Sequence, residues 1–122
     1  MFFQHRKLTE SEQKWNRMWE LWAEGKATVP YAQMMAYESE VNNGGHSQYF
    51  CNTANCGDLK QDVEILLTAL PGPLRENLKQ CYDAFTAGTD SEALYEQCDC
   101  LFYREESLLI ALLEAYAQSM TL

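Results

Sequence analysis

The sequence predicts an all-α fold, a single compact domain of five or six helices joined by short turns. Three observations carry this. Apolar residues recur at three- and four-residue spacing along most of the chain. No stretch sustains the apolar–polar alternation of a strand. Gly and Pro clusters cut the 122 residues into helix-length segments. A chain of this length buries roughly two-thirds of its unfolded surface, so one core suffices.

The first element is set by "TESE" at residues 9–12, where Thr9 accepts from a first-turn amide while Glu12 reaches back to close a capping box. Trp15, Met18, Trp19 and Trp22 then fall within a stripe about 100° wide, and Gly25 ends the helix. Large aromatics at this spacing point to core packing over an exposed partner groove. Residues 1–29 are thus read as an N-terminal Trp-rich helix and residues 30–122 as an acidic helical body.

Pro30 opens the second helix. Its apolar positions Tyr31, Met34, Met35 and Val41 lead to Asn42, Asn43, Gly44 and Gly45, where glycine takes left-handed backbone angles without a Cβ clash and the helix stops. A short helical turn over residues 47–52 puts Gln48 and Asn52 on one face, with Tyr49 and Phe50 pointing elsewhere. The amides are expected to satisfy backbone groups freed at neighbouring helix ends, which makes the motif a structural knot.

Asp58 begins the next helix, with Leu59, Val63, Leu66, Leu67 and Leu70 inward, and "LPGP" at residues 70–73 breaks it. Pro73 opens another, carrying Leu74, Leu78, Cys81, Tyr82 and Phe85, and "AGTD" ends it. Asp90 or Ser91 caps a helix with Leu94, Cys98, Leu101 and Phe102 on one face. A terminal helix is expected from about Glu105 to Met120, with Leu109, Leu112, Leu113, Tyr116 and Met120 inward.

The formal net charge is −9. Residues 1–30 hold five basic and four acidic residues, whereas residues 31–122 hold four basic and 14 acidic, so the body alone carries −10. Phosphate contacts need a basic patch, so direct nucleic-acid binding is excluded and a basic protein partner is expected. Glu92, Glu96, Asp99 and Tyr103 occur at i, i+4, i+7 and i+11, opposite Leu94, Cys98 and Phe102. Three carboxylates would line one exposed stripe at a rise of roughly 6 Å per step, the scale of neighbouring phosphates. Asp58 with Asp62, and Glu105 with Glu106, would extend this partner-binding face.

Five cysteines without a secretory signal read as free thiols, and no apolar run reaches a membrane span, so the chain is expected to be soluble and cytoplasmic. No catalytic site, metal or cofactor is expected. His46 with Cys51 lacks an orienting carboxylate in the sequence, and Cys51, Cys56, Cys98 and Cys100 do not have the spacing of a zinc site. His5 completes the histidines. A small polar ligand, or an enzyme site, centred on Asn42, Asn43, Gln48 and Asn52 is the competing reading.

The run "EVNNGGHSQYFCN", followed by an acidic helix, "LPGP", two further helices and a Leu- and Tyr-rich C-terminal helix, resembles the small bacterial family typified by DNA mimic protein nineteen. The matching positions are Asn42, Asn43, Gly44, Gly45, Gln48, Tyr49, Phe50 and Asn52, and the similar layout runs from about residue 30 to the end. One position departs: His46 stands where the family usually has a Phe. The resemblance implies an all-α fold and an acidic surface that imitates duplex DNA to titrate a DNA-binding regulator. An immunity-type inhibitor of a basic toxin would use the same surface, and a homodimer is compatible with the sequence.

Overall fold

The capping box forms as the sequence requires: the Thr9 amide donates to Glu12 Oε1 at 3.0 Å and the Glu12 amide to Thr9 Oγ1 at 3.1 Å, starting α1 at Glu10–Ala23. The structure, a computed structural model, describes residues 7–122, and His5 lies outside them. Four more helices follow: α2 (Tyr31–Cys56), α3 (Leu59–Ala69), α4 (Gly72–Ala87) and α5 (Glu92–Gln118). The described residues contain no strand.

Local chemistry fixes most boundaries. Asp58 caps α3 by accepting from the Gln61 amide at 3.0 Å, and Ser91 caps α5 by accepting from the Leu94 amide at 3.1 Å, satisfying amides that the first turn leaves free. Asp90 instead accepts from the Tyr95 hydroxyl at 2.6 Å. Gly88 ends α4 in the left-handed region at φ 72°.

Two elements differ from expectation. The expected helices around residues 91–104 and 105–120 are one, α5, about 40 Å long at 1.5 Å per residue. No Gly or Pro lies within it, and its buried residues Cys98, Phe102, Leu109, Leu113 and Ala117 stay in phase. The second difference is α2. It does not end at the glycines but bends there, with Gly44 (φ −159°, ψ 20°) and Gly45 (φ 77°, ψ −177°) joining two helical halves, the second running to Cys56 and not to residue 52.

Around α5 are packed α1, α2 and α4, while α3 rests on α2 and α4. The core draws Met18 from α1, Met34, Met35, Tyr37, Val41, Tyr49 and Phe50 from α2, and leucines from α3, α4 and α5. Each fully buried large side chain contributes about 1.5–3 kcal/mol. The tryptophan stripe joins this core, with Trp15, Trp19 and Trp22 packed against it in edge-to-face contact. Trp22 Nε1 also donates to the Ala32 carbonyl at 3.2 Å, tying α1 to α2. Asn77 Nδ2 donates to the Cys98 carbonyl at 2.8 Å, which lets a buried amide bridge α4 and α5.

Candidate functional site

The bend in α2 brings Gly45 and His46 against Asp99 in the middle of α5. Gly45 has φ 77°, and a Cβ there would run into the Asp99 carboxylate, so both backbone and space demand glycine. A Cβ on Gly44 would overlap the Gln48 side chain. The next residue, His46, is fully buried.

Both ring nitrogens of His46 are engaged. Nδ1 lies 2.7 Å from Asp99 Oδ1, which also accepts from the His46 amide at 2.9 Å. Nε2 lies 2.7 Å from the hydroxyl of buried Tyr37. An ionised carboxylate only accepts, so Nδ1 carries a proton, and in the neutral ring Nε2 accepts from the Tyr37 O–H. Desolvation pulls the Asp99 carboxyl upward, but its hydrogen bonds and charge interaction with His46 outweigh this and hold it below the usual value. Burial drives the Tyr37 hydroxyl well above its usual range. The ring keeps aromatic contacts with Tyr37, Phe50 and Phe102 at centroid distances of 5.5–6.1 Å. His46 therefore fills an aromatic slot and adds a polar link from α2 to α5.

The motif's amides act on carboxylates more than on helix ends, which corrects the expectation for them. Gln48 Nε2 and Asn52 Nδ2 each donate to Glu40 Oε2 at 2.9 Å, bridging the bend from outside. Asn42 Nδ2 reaches the Glu38 carbonyl and carboxylate, both at 2.9 Å, and Glu106 Oε2 at 2.6 Å. Burial, then the Glu106 charge, raises the Glu38 carboxyl, and Asn42 offsets part of this. Asn43 is exposed, whereas Tyr49 and Phe50 are core.

The acids proposed as a partner-binding face do not form one uniform stripe. Glu92 and Glu96 are exposed on α5 and form no hydrogen bond or ion pair among the described residues. Asp99 turns inward and is committed to His46, its side chain 26% exposed; the expectation that it shares an exposed stripe is corrected. Tyr103 donates to the Val41 carbonyl at 3.2 Å. Glu105 is half-buried and pairs with Arg104 at 3.4 Å, and Glu106 is held by Asn42. Asp58 caps α3 and Asp62 lies in its first turn, where burial and then the Asp58 charge raise the Asp62 carboxyl.

Cys51 is exposed while His46 is buried with both nitrogens engaged, so His46 is not a base for that thiol. No group of three His, Cys, Asp or Glu among the described residues is arranged to hold a metal. Nor is any described helix long and apolar enough to cross a membrane.

Sequence reasoning missed Tyr37 and the Asp99 partnership. Tyr37 lies three residues after Met34 and four before Val41, so its helical phase was the available signal. Asp99 is separated from His46 by 53 positions, and no local pattern links them.

A family model described as DMP19-like protein matches residues 30–120. No curated protein and no solved structure matches the chain significantly.

Proposed function

The chain belongs to the DMP19-like family, and from that premise we propose that it is a non-enzymatic acidic protein that binds a basic protein partner. The partner is a DNA-binding one, a transcriptional regulator, whose nucleic-acid surface meets carboxylates in place of phosphates. The observation that carries this reading is lack of compensation. Of the 14 acidic residues in 31–122, only Asp83 and Glu105 pair with Lys or Arg among the described residues. Such a surface attracts a cationic partner over distances set by ionic screening.

Glu92 and Glu96 are the best candidates for direct contact, being exposed and four residues apart on α5. Asp99 is a poor test residue, because replacing it removes the acceptor of the buried His46 ring. The amides of Asn42, Gln48 and Asn52 already serve Glu38, Glu106 and Glu40, which favours a structural motif over a ligand cradle.

The test is a partner captured at low salt and then purified. Binding should displace duplex DNA from that partner, and the Glu92→Lys, Glu96→Lys double variant should bind about tenfold or more weaker, with a shallower salt dependence. A partner that keeps its DNA, or that binds both proteins equally, sinks the reading.

A further inference from the structure

Asn43 is the one asparagine of the sequence that precedes a glycine. It is exposed, and among the described residues its side chain makes no hydrogen bond or ion pair. The other amides of the motif are held: Asn42 by Glu38 and Glu106, Gln48 and Asn52 by Glu40. We propose that the Asn43–Gly44 pair is a modification site, where a surface amide converts with water into aspartate and isoaspartate at a rate set by opening of the α2 bend.

The reaction needs no cofactor and no oxidant. Hydroxide takes the proton of the Gly44 backbone nitrogen, which then attacks Asn43 Cγ. The new bond closes a succinimide ring, the Cγ–Nδ2 bond breaks, and the nitrogen leaves as ammonia after taking a proton from water. Water then opens the ring. Attack at one carbonyl gives aspartate, and attack at the other gives isoaspartate, whose main chain runs through the former side chain. Gly44 makes the first step feasible, because no side chain shields its nitrogen and its backbone is the least restricted of any residue.

The fold restrains this chemistry without abolishing it. Asn43 belongs to the helical part of α2, and the backbone leaves helical geometry only at Gly44 (φ −159°, ψ 20°) and Gly45 (φ 77°, ψ −177°). Ring closure requires the Asn43 peptide to turn out of its helical orientation. It therefore proceeds in molecules whose last turn before the bend has opened, a local event that leaves the rest of the fold intact. Three contacts resist that opening: Gln48 and Asn52 each donate to Glu40 at 2.9 Å across the bend, and the His46 amide donates to Asp99 at 2.9 Å. Asn43 lines an open surface cavity with Glu38, Ser39, Glu40 and Asn42, so water reaches it and the new carboxylate joins two acids already there. Each conversion makes the formal charge of −9 more negative by one unit, and isoaspartate also adds a methylene to the backbone beside the two glycines.

The test is incubation of the full chain at mildly alkaline pH, followed by peptide mapping with mass spectrometry and labelling with an isoaspartyl methyltransferase. The peptide carrying residue 43 should acquire the small mass gain of hydroxyl over amine and accept the methyl label, and Asn43→Ser should do neither. The chain unfolded in guanidinium should convert at least about tenfold faster than the folded chain, because opening is rare in the fold. Glu40→Ala releases both Gln48 and Asn52, so it should raise the folded rate several-fold and leave the unfolded rate unchanged. Circular dichroism checks each variant before incubation, and Gln48→Ala, which removes only one of the two bridges, serves where Glu40→Ala loses helix. The proposal is overturned if Asn43 stays intact in the folded chain over a period in which the unfolded chain converts. Conversion of Asn42 ahead of Asn43, or a folded rate that ignores the loss of the Glu40 bridges, overturns it equally. None of these outcomes depends on a partner, so the inference stands or falls apart from the reading of an acidic binding surface.

Discussion

At the scale of single residues, the fold depends on where Asp99 directs its charge. One of its oxygens accepts both the His46 amide and Nδ1, so Asp99→Ala strands two buried donors and should cost about 1–3 kcal/mol in urea unfolding. The pH dependence has a definite sign. The Asp99 carboxyl titrates below its ordinary value in the fold, so its contribution is complete above the unfolded value of about 3.9 and is lost as pH falls through the lower folded value. Asp99→Asn keeps an accepting oxygen without the charge. Unfolding free energies measured between about pH 5 and pH 2 should fall more steeply for the wild type than for this variant. Parallel curves would mean that the ionised carboxylate gives no stability beyond what a neutral acceptor provides. His46→Phe would fill the same aromatic slot but leave the Tyr37 hydroxyl without its ring partner and Asp99 with the residue's backbone amide alone.

At the scale of elements, the bend in α2 is decided by two glycines for different reasons. Gly45 and Gly25 both have positive φ, at 77° and 73°, yet only at Gly45 would a Cβ meet a neighbour. Gly25→Ala should therefore cost about 1–2 kcal/mol for backbone alone, and Gly45→Ala about 3 kcal/mol or more, since it also displaces Asp99 from His46. Equal losses in denaturant titrations would show that the bend tolerates a side chain. Much of the element layout was legible because its causes are local: the Thr9–Glu12 box, the Asp58 and Ser91 caps and the left-handed Gly88 are written within a few positions. The single α5 differs from the two helices expected over its length, although the absence of Gly and Pro there was an available signal. The link from Tyr37 through His46 to Asp99 was not legible, because a side-chain pairing between distant helices exists only once packing has set them side by side. The same cause hid the fate of the acidic stripe. Helical phase put Asp99 in line with Glu92 and Glu96, but it could not tell that Asp99 is committed to His46 at the bend of α2.

At the scale of the whole molecule, the body's negative charge has an energetic consequence independent of any partner. The acidic residues of 31–122 repel one another with little compensation, and this repulsion is larger in the compact chain than in the expanded one. Exposed ion pairs such as Lys79–Asp83 at 2.9 Å return little, about 0–1 kcal/mol each. Screening should thus stabilise the fold: the melting temperature should rise by a few degrees as sodium chloride increases from about 10 mM to about 0.3 M, where the Debye length falls from roughly 30 Å to below 8 Å. The Glu92→Lys, Glu96→Lys variant moves the formal charge from −9 toward neutrality by four. It should melt higher than the wild type at low salt and depend less on salt, while binding its partner more weakly. That opposition is what a surface kept for binding at the expense of stability produces. A wild-type melting temperature that ignores salt, or a charge-reversed variant that is less stable at low salt, would mean that these carboxylates are too dispersed to act as one field. The attraction invoked for a cationic partner would then have no source in this molecule.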